Sequence, residues 1–300
     1  MNICFFGSNS LIAQDLIDNL EKSNLHKLFL FSRKKISNKD VLPYSEFEKN
    51  NYDLIINFIG GGAPKKINEI KNEFFEISNY YDDKIINYLK NNSKCKYIFL
   101  SSGAVYHTYD KPVFNDSLTP LNLNNIDINN EFYFLTKLYI ELKHRFNKDL
   151  KILDIRIFNY VSANMNQDMD FFITDIFKLL KNREKVIFSS NKIVRDYIGP
   201  KEFFDFFNCL LDCDWGNDVC DLYSSKETSN LEIFEMIKNK YNAEVCLKNN
   251  NIEKSPTENK STYFSKNHNA NTYGYNISKS SLSIIEREID KFLNLKKIND

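Results

Sequence analysis

The stretch Asn2–Ala13, NICFFGSNSLIA, decides the fold. Asn2 to Phe6 is a short apolar run, the pattern of a strand buried in a parallel sheet. Gly7, Ser8 and Asn9 turn the chain. From there the apolar period changes: Leu11, Ile12, Leu16, Ile17 and Leu20 fall on one face of a helix reaching Lys22. The turn reads G-x-x-S-x-x-A. Gly7 permits a tight turn, and Ser10 and Ala13 are small enough for close approach of a phosphate. In open parallel sheets the first strand-to-helix turn holds a pyrophosphate at the helix N-terminus.

Further along, strands keep alternating with helical stretches. Leu28–Phe31 is a second strand, and Asp53–Ile59 another, closed by Gly60-Gly61-Gly62. Residues 66–91 read as a long helix, Lys96–Leu100 as a strand ending at Ser101-Ser102-Gly103, residues 130–147 as a helix and Leu150–Phe158 as a strand. This order predicts βαβ units in a doubly wound parallel α/β sheet. The second half is less regular. Phe171–Leu180 and Leu231–Tyr241 carry helical patterns, and Asn249–Asn271 is polar and loop-rich. The expected division gives residues 1–160 to a dinucleotide-binding domain, with 194–225 returning to it. Residues 161–193 and 226–300 form a smaller substrate-binding subdomain.

Composition narrows the class. The 300 residues carry 40 Lys plus Arg and 40 Asp plus Glu, so a nucleic-acid binder held by strong basic charge is excluded. No apolar run is long enough for a membrane helix, and the N-terminus lacks the basic region of a secretory signal. The expected location is therefore the cytoplasm. Six cysteines in no metal-like spacing fit reduced thiols, and no metal is expected. Glycine is scarce: 8 residues against about 21 at average usage. Half of them, Gly7 and Gly60–Gly62, lie in two turns, so those turns are where backbone geometry is most demanding.

The dinucleotide site is expected at Gly7, Ser10, Leu11 and Ile12, and at Phe58, Ile59, Gly60 and Gly61 on the next turn. An acidic residue after the second strand commonly holds the adenosine ribose of NAD. This chain has Ser32, Arg33 and Lys34 there, a hydroxyl and two cations suited to the 2′-phosphate of NADP. NADP(H) is expected, with NAD(H) the weaker candidate. Three further pieces fit hydride chemistry. Ser102 ends a strand. Tyr133 and Lys137 sit one helical turn apart in Tyr133-Phe134-Leu135-Thr136-Lys137. Asn159 ends the segment Arg156-Ile157-Phe158-Asn159. A tyrosine beside an ammonium is expected to have a lowered pKa, and a serine hydroxyl can hold a carbonyl oxygen. A second Tyr-x-x-x-Lys, Tyr139 to Lys143, has Leu142 before its lysine where the first has Thr136.

These pieces, in this order, resemble an extended short-chain dehydrogenase/reductase of the NAD-dependent epimerase/dehydratase family. Arg195-Asp196-Tyr197-Ile198 matches a further segment of that family. The resemblance implies a Rossmann-type sheet and catalytic Ser102, Tyr133 and Lys137, the last two also touching the cofactor. It also implies a nucleotide-sugar substrate held by Ser102, Gly103, Asn159 and Arg195. It implies a homodimer through the helices at 66–91 and 130–147. The family's 4,6-dehydratases carry Asp-Glu where this chain has Gly103 and Ala104, so dehydration is not expected. The bifunctional epimerase-reductases use a cysteine near Ala104 and a histidine after Asn159, and neither is present. Two options remain within the family: NADPH-dependent reduction of a 4-keto nucleotide sugar in surface-polysaccharide synthesis, which the expected NADP(H) preference favours, and, as the alternative, a 4-epimerase with tightly bound NAD. A non-catalytic NADP-binding regulator is the second alternative. The family's late arginine has no counterpart between Lys254 and Tyr263, where Lys254 or Lys260 could stand in.

Overall fold

The computed structural model describes residues 1–36, 38–61, 69–108, 110–122, 124–169, 171–248 and 261–294, without the side chains of Asn72 and Asn129. In chain order, the first half contains β1 (Asn2–Phe6), α1 (Leu11–Ser23), β2 (Lys27–Phe31), β3 (Val41–Leu42), β4 (Leu54–Asn57), α2 (Lys71–Asn91), β5 (Lys96–Ser102), α3 (Ile128–Phe146) and β6 (Ile152–Ile157). The second half contains α4 (Phe172–Asn182), β7 (Val186–Ser189), β8 (Val194–Arg195), α5 (Pro200–Asp212), β9 (Asn217–Leu222), β10 (Thr228–Ser229), α6 (Asn230–Tyr241), β11 (Val245–Lys248), β12 (Thr262–Tyr263) and α7 (Ser281–Phe292).

Seven strands form one parallel sheet in the order β3-β2-β1-β4-β5-β6-β9. β1 lies inside it, and its side chains are buried on both faces, as its apolar run requires. Ile3 and Phe5 join a core with Leu16, Ile17 and Leu20 of α1 and Phe203, Phe206 and Phe207 of α5. Cys4 and Phe6 face the other way, toward Ile85, Ile86 and Leu89 of α2 and Ile140 of α3. Helices therefore cover both faces. A third core joins α4, α6 and α7 through Phe177, Ile233, Ile237, Ile284 and Ile285, beside the small sheets β10-β8-β12 and β11-β7.

Several elements depart from the sequence reading. The helix expected at 66–91 is described from Lys71, and residues 66–68 and Gly62 lie outside the described residues. The polar stretch from Asn249 falls outside them up to residue 260, which includes Lys254 and Lys260. α5, α7 and β9 were not expected. α5 begins on Pro200 after Gly199, and Glu202 accepts the Gly199 N–H at 3.2 Å, which stops fraying at that end. Arg287 of α7 then forks onto Glu202 with two bonds of 2.7 Å. Among the described residues no helix is long and apolar enough to cross a membrane. No group of three or more His, Cys, Asp or Glu among them could hold a metal ion.

α3 is fastened to the sheet by charge as well as by apolar contact. His144 is fully buried between Asp154 of β6 (Nδ1 to Oδ1, 2.6 Å) and Asp82 of α2 (Nε2 to Oδ1, 2.9 Å). Tyr97 donates to Asp82 at 2.6 Å, and Asn57 donates to Tyr97 at 3.0 Å. Burial alone would lower the His144 pKa, but Asp154 and Asp82 push it up to about 10. An unfolded histidine titrates near 6.5. The stabilisation from His144 is therefore fully present below about pH 6.5 and lost as pH rises toward 10. Urea midpoints at about pH 6 and about pH 9 should fall more steeply for the wild type than for His144→Gln. Equal slopes would show that this imidazolium does not carry the stabilisation.

Candidate active site

The carboxyl ends of β1, β4 and β5 bring the expected turns together. Gly7 has φ +74°, which an L side chain rarely adopts. A Cβ there would also lie 3.1 Å from the backbone N and Cγ1 of Ile59, so the two turns are in contact. Ser10 caps α1: its hydroxyl accepts the Ala13 N–H at 3.3 Å, and its carbonyl accepts that of Gln14 at 2.9 Å. The N–H groups of Leu11 and Ile12 stay at the mouth of the helix, where an anion is stabilised. Tyr44, which sequence reasoning did not single out, accepts the Gly7 N–H at 3.1 Å through its hydroxyl. Arg33 is exposed near Tyr44 and Tyr81, and the Ser32 hydroxyl accepts the Lys34 N–H at 3.1 Å.

Gly60 joins this turn to α3. Its φ is +89°, and a Cβ on it would sit 3.3 Å from Lys137 Nζ and 3.0 Å from Ser78 Oγ. Lys137 is buried, donates to the Leu100 carbonyl at 2.7 Å and lies 4.5 Å from the Phe99 ring centroid. Burial pushes its pKa down to about 7, against the pull of Glu141, Asp154 and Asp82. Thr136 just before it spends its hydroxyl on the Phe132 carbonyl at 2.7 Å.

The competing pair stands elsewhere. Lys143 is paired with Asp82 and Asp83 at 2.7 Å each, and Tyr139 is exposed against Phe75, with ring centroids 5.2 Å apart. Neither reaches the strand ends that carry Ser102 and Gly60.

Ser102 Oγ accepts the Ala104 N–H at 3.2 Å and lies 3.2 Å from the hydroxyl of Tyr263. Burial raises the Tyr133 pKa, and a hydrogen bond with Ser102 partly opposes that. This corrects the expectation of a lowered tyrosine pKa. In this chain the Lys137 ammonium lies 6.0 Å from the Tyr133 ring centroid and is held by Leu100, so desolvation wins. Gly103 has a packing reason to be glycine. Its Cβ would overlap the Phe158 ring at 2.4 Å.

Arg195 and Asn159 come close through the backbone. Asn159 Nδ2 donates to the Asp196 carbonyl at 2.8 Å, and Arg195 Nη1 donates to the Val194 carbonyl at 2.9 Å. The Arg195 guanidinium lies 6.0 Å from the centroid of the Tyr263 ring, which itself packs on Phe158 at 5.0 Å. Tyr263 thus links Arg195 to Ser102. Its position after an irregular polar stretch gave no sequence signal of this.

A buried lysine that titrates near 7 makes folding costlier at lower pH. Its folded pKa is below the unfolded value, so its penalty is absent above about pH 10.5 and grows as pH falls. Lys137→Met should raise the urea midpoint, by an amount worth about 2 kcal/mol near pH 7 and less near pH 10. A loss of stability at both pH values would contradict this account of the site.

Residues 3–217 match the model of the NAD dependent epimerase/dehydratase family. A curated relative, the putative UDP-glucose 4-epimerase of Methanocaldococcus jannaschii, is 22% identical over 255 residues, covering 77% of this chain and 80% of the relative. The crystal structure of UDP-glucose 4-epimerase from Thermotoga maritima with UDP-glucose superposes with a TM-score of 0.79 at 14% identity, covering 98% of this chain and 99% of that one. The structure of RMD from Pseudomonas aeruginosa complexed with NADPH gives 0.70 at 12% identity, covering 98% and 100%. With a family match spanning well over half its length and the sheet order described above, the chain belongs to the NAD dependent epimerase/dehydratase family.

Proposed function

We propose that this protein moves a hydride between a nicotinamide dinucleotide and C4 of a nucleotide-diphosphate sugar. The observation that carries the reading is the approach of Ser102, Tyr133 and Lys137 at the carboxyl edge of the sheet, beside the glycine turns at Gly7 and Gly60. The dinucleotide fits these residues. The α1 mouth offers the Leu11 and Ile12 N–H groups to a pyrophosphate, and the bare backbone at Gly60 leaves Lys137 Nζ room beside it. When bound, the nicotinamide supplies the hydride acceptor or donor.

The remaining chemistry belongs to the chain. Tyr133 exchanges a proton with the sugar oxygen, and its raised pKa keeps it protonated for donation to a carbonyl. Ser102 holds that oxygen as charge develops on it. Lys137 brings a positive charge near the Tyr133 ring and would hold the ribose of the nicotinamide half of the dinucleotide. Arg195 holds the diphosphate, with Asn159 fixing the strand beside it. Gly103 and Ala104 supply no carboxylate, so these two positions offer neither acid nor base for loss of water.

Between the two outcomes of C4 oxidoreduction, 4-epimerisation has the better support. The epimerase names among the relatives and similar structures favour it, whereas the sequence alone favours reduction. Reduction with NADPH stays as the second reading. Ser32, Arg33 and Lys34 after β2 favour it, as does the RMD complex with NADPH. The purified protein should interconvert C4 epimers of a UDP-hexose without net cofactor use, whereas a reductase would consume NADPH, and NADH more slowly, with a 4-keto sugar nucleotide. Tyr133→Phe should lower kcat by at least about 100-fold in either case. Undiminished turnover would remove Tyr133 as the proton donor, and no turnover across the GDP, CDP, dTDP and UDP series would favour the non-catalytic alternative.

Homodimerisation is part of the proposal. Phe75 and Tyr80 of α2 and Tyr139, Leu142 and Phe146 of α3 are exposed apolar side chains on two helices that pack together. Light scattering should give twice the chain mass for the wild type and a monomer for Leu142→Asp with Phe146→Asp. A wild-type monomer would remove the dimer from the account.

A further inference from the structure

The hydrogen-bond capacity of Ser102 leads beyond this reading. A serine hydroxyl has one proton to give and two lone pairs to receive. The Ala104 N–H occupies one lone pair at 3.2 Å. What remains is one proton and one lone pair, and two phenols stand ready to use them. Tyr263 lies 3.2 Å away, and Tyr133 stands near enough to the same side chain for Ser102 to oppose the rise in its pKa.

Two arrangements let both phenols use this capacity. In the first, Ser102 gives its proton to Tyr263 and receives from Tyr133. Both protons needed by an incoming sugar oxygen are then engaged elsewhere. In the second, Tyr263 gives its proton to Ser102, and the Ser102 proton points toward Tyr133 and the space where the sugar oxygen would sit. The surroundings of Tyr263 favour the second. The Arg195 guanidinium at 6.0 Å from its ring centroid makes the phenol a better donor, and Phe158 at 5.0 Å fixes the ring plane. The strand that carries it is anchored one residue pair later. Ser265 donates to Asp221 at 2.6 Å, and Tyr106 donates to the same carboxylate at 2.9 Å.

We infer that Tyr263 is a positioning residue: it donates its hydroxyl proton to Ser102 Oγ and so aims the Ser102 proton at the oxygen of the substrate. The C-terminal subdomain thereby sets a rotor in the dinucleotide domain. The role in turnover rests on the proposed C4 oxidoreduction, but the bond itself does not.

The test uses four full-length proteins: wild type, Tyr263→Phe, Ser102→Ala and the double variant. Tyr263→Phe keeps the ring against Phe158 and Arg195 and removes only the hydroxyl. Its kcat should fall about tenfold with KM within about twofold of the wild type. In the Ser102→Ala background the same change should alter kcat by less than about twofold, because the bond it acts through is already gone. Unchanged kcat in the single variant, or the same fractional loss in both backgrounds, overturns the proposal. Urea midpoints of the four proteins read the bond without turnover. The double variant should lose less than the sum of the single losses, and additive losses would overturn the proposal whatever the activity. If the wild type turns over no sugar nucleotide while the midpoints are coupled, the functional reading fails and the Tyr263–Ser102 bond stands.

Discussion

The arrangement depends on how α3 lies on the sheet. Its inner face carries three ionisable groups, Lys137, Glu141 and His144, and all three are buried. Each meets a fixed partner. Lys137 reaches the Leu100 carbonyl at the end of β5. Glu141 accepts from the Arg156 guanidinium of β6 at 3.0 Å, and His144 lies between Asp154 and Asp82. Burying such groups contributes little net stability, but a slip of the helix would leave every one of them unpaired. The charges thus set the register of α3, and that register puts Tyr133 and Lys137 at the strand ends that carry Ser102 and Gly60.

The same pairs reach the segment that follows β12. Arg156 also donates to the Tyr106 hydroxyl at 2.7 Å, and Tyr106 donates to Asp221 of β9. Asp221 receives the Ser265 hydroxyl two residues beyond Tyr263. Burial pushes the Asp221 pKa up to about 6 against the pull of Arg156. One polar chain therefore runs from α3 through β6 and β9 to the strand beside Ser102. The packing of β9 and the orientation of the β12 segment share these bonds.

Local patterns made the first half legible. β1, α1 and the turn at Gly7 read correctly because burial on both faces and a 3.6-residue stripe leave strong marks. What set the pair Tyr133 and Lys137 apart from Tyr139 and Lys143 in the sequence was the hydroxyl residue Thr136 before the first lysine, where Leu142 precedes the second. β9 escaped because Asp218 and Asp221 interrupt its apolar run, and Asp221 is acceptable inside only through Tyr106, Ser265 and Arg156 from distant segments. α5 was legible in principle, with Pro200 at its start and Phe203, Phe206, Phe207 and Leu210 on one face. The direction of the Tyr133 pKa could not be read, since it turns on desolvation and on the distance to Lys137. Tyr263 was invisible for a similar reason: its contact with Ser102 spans 161 positions.

The central claim is that the oxygen held by Ser102 and Tyr133 belongs to a carbon that exchanges hydride with the cofactor. Its most direct test mixes the protein with a UDP-hexose deuterated at C4 and the oxidised dinucleotide, quenches the reaction before the hydride is returned, and analyses the reduced dinucleotide caught in mid-turnover by mass. The account predicts reduced dinucleotide carrying the deuterium in the wild type and none in Tyr133→Phe, with the label back at C4 of the sugar once turnover is complete. Sugar epimerised by the wild type with its C4 deuterium lost to solvent would contradict it.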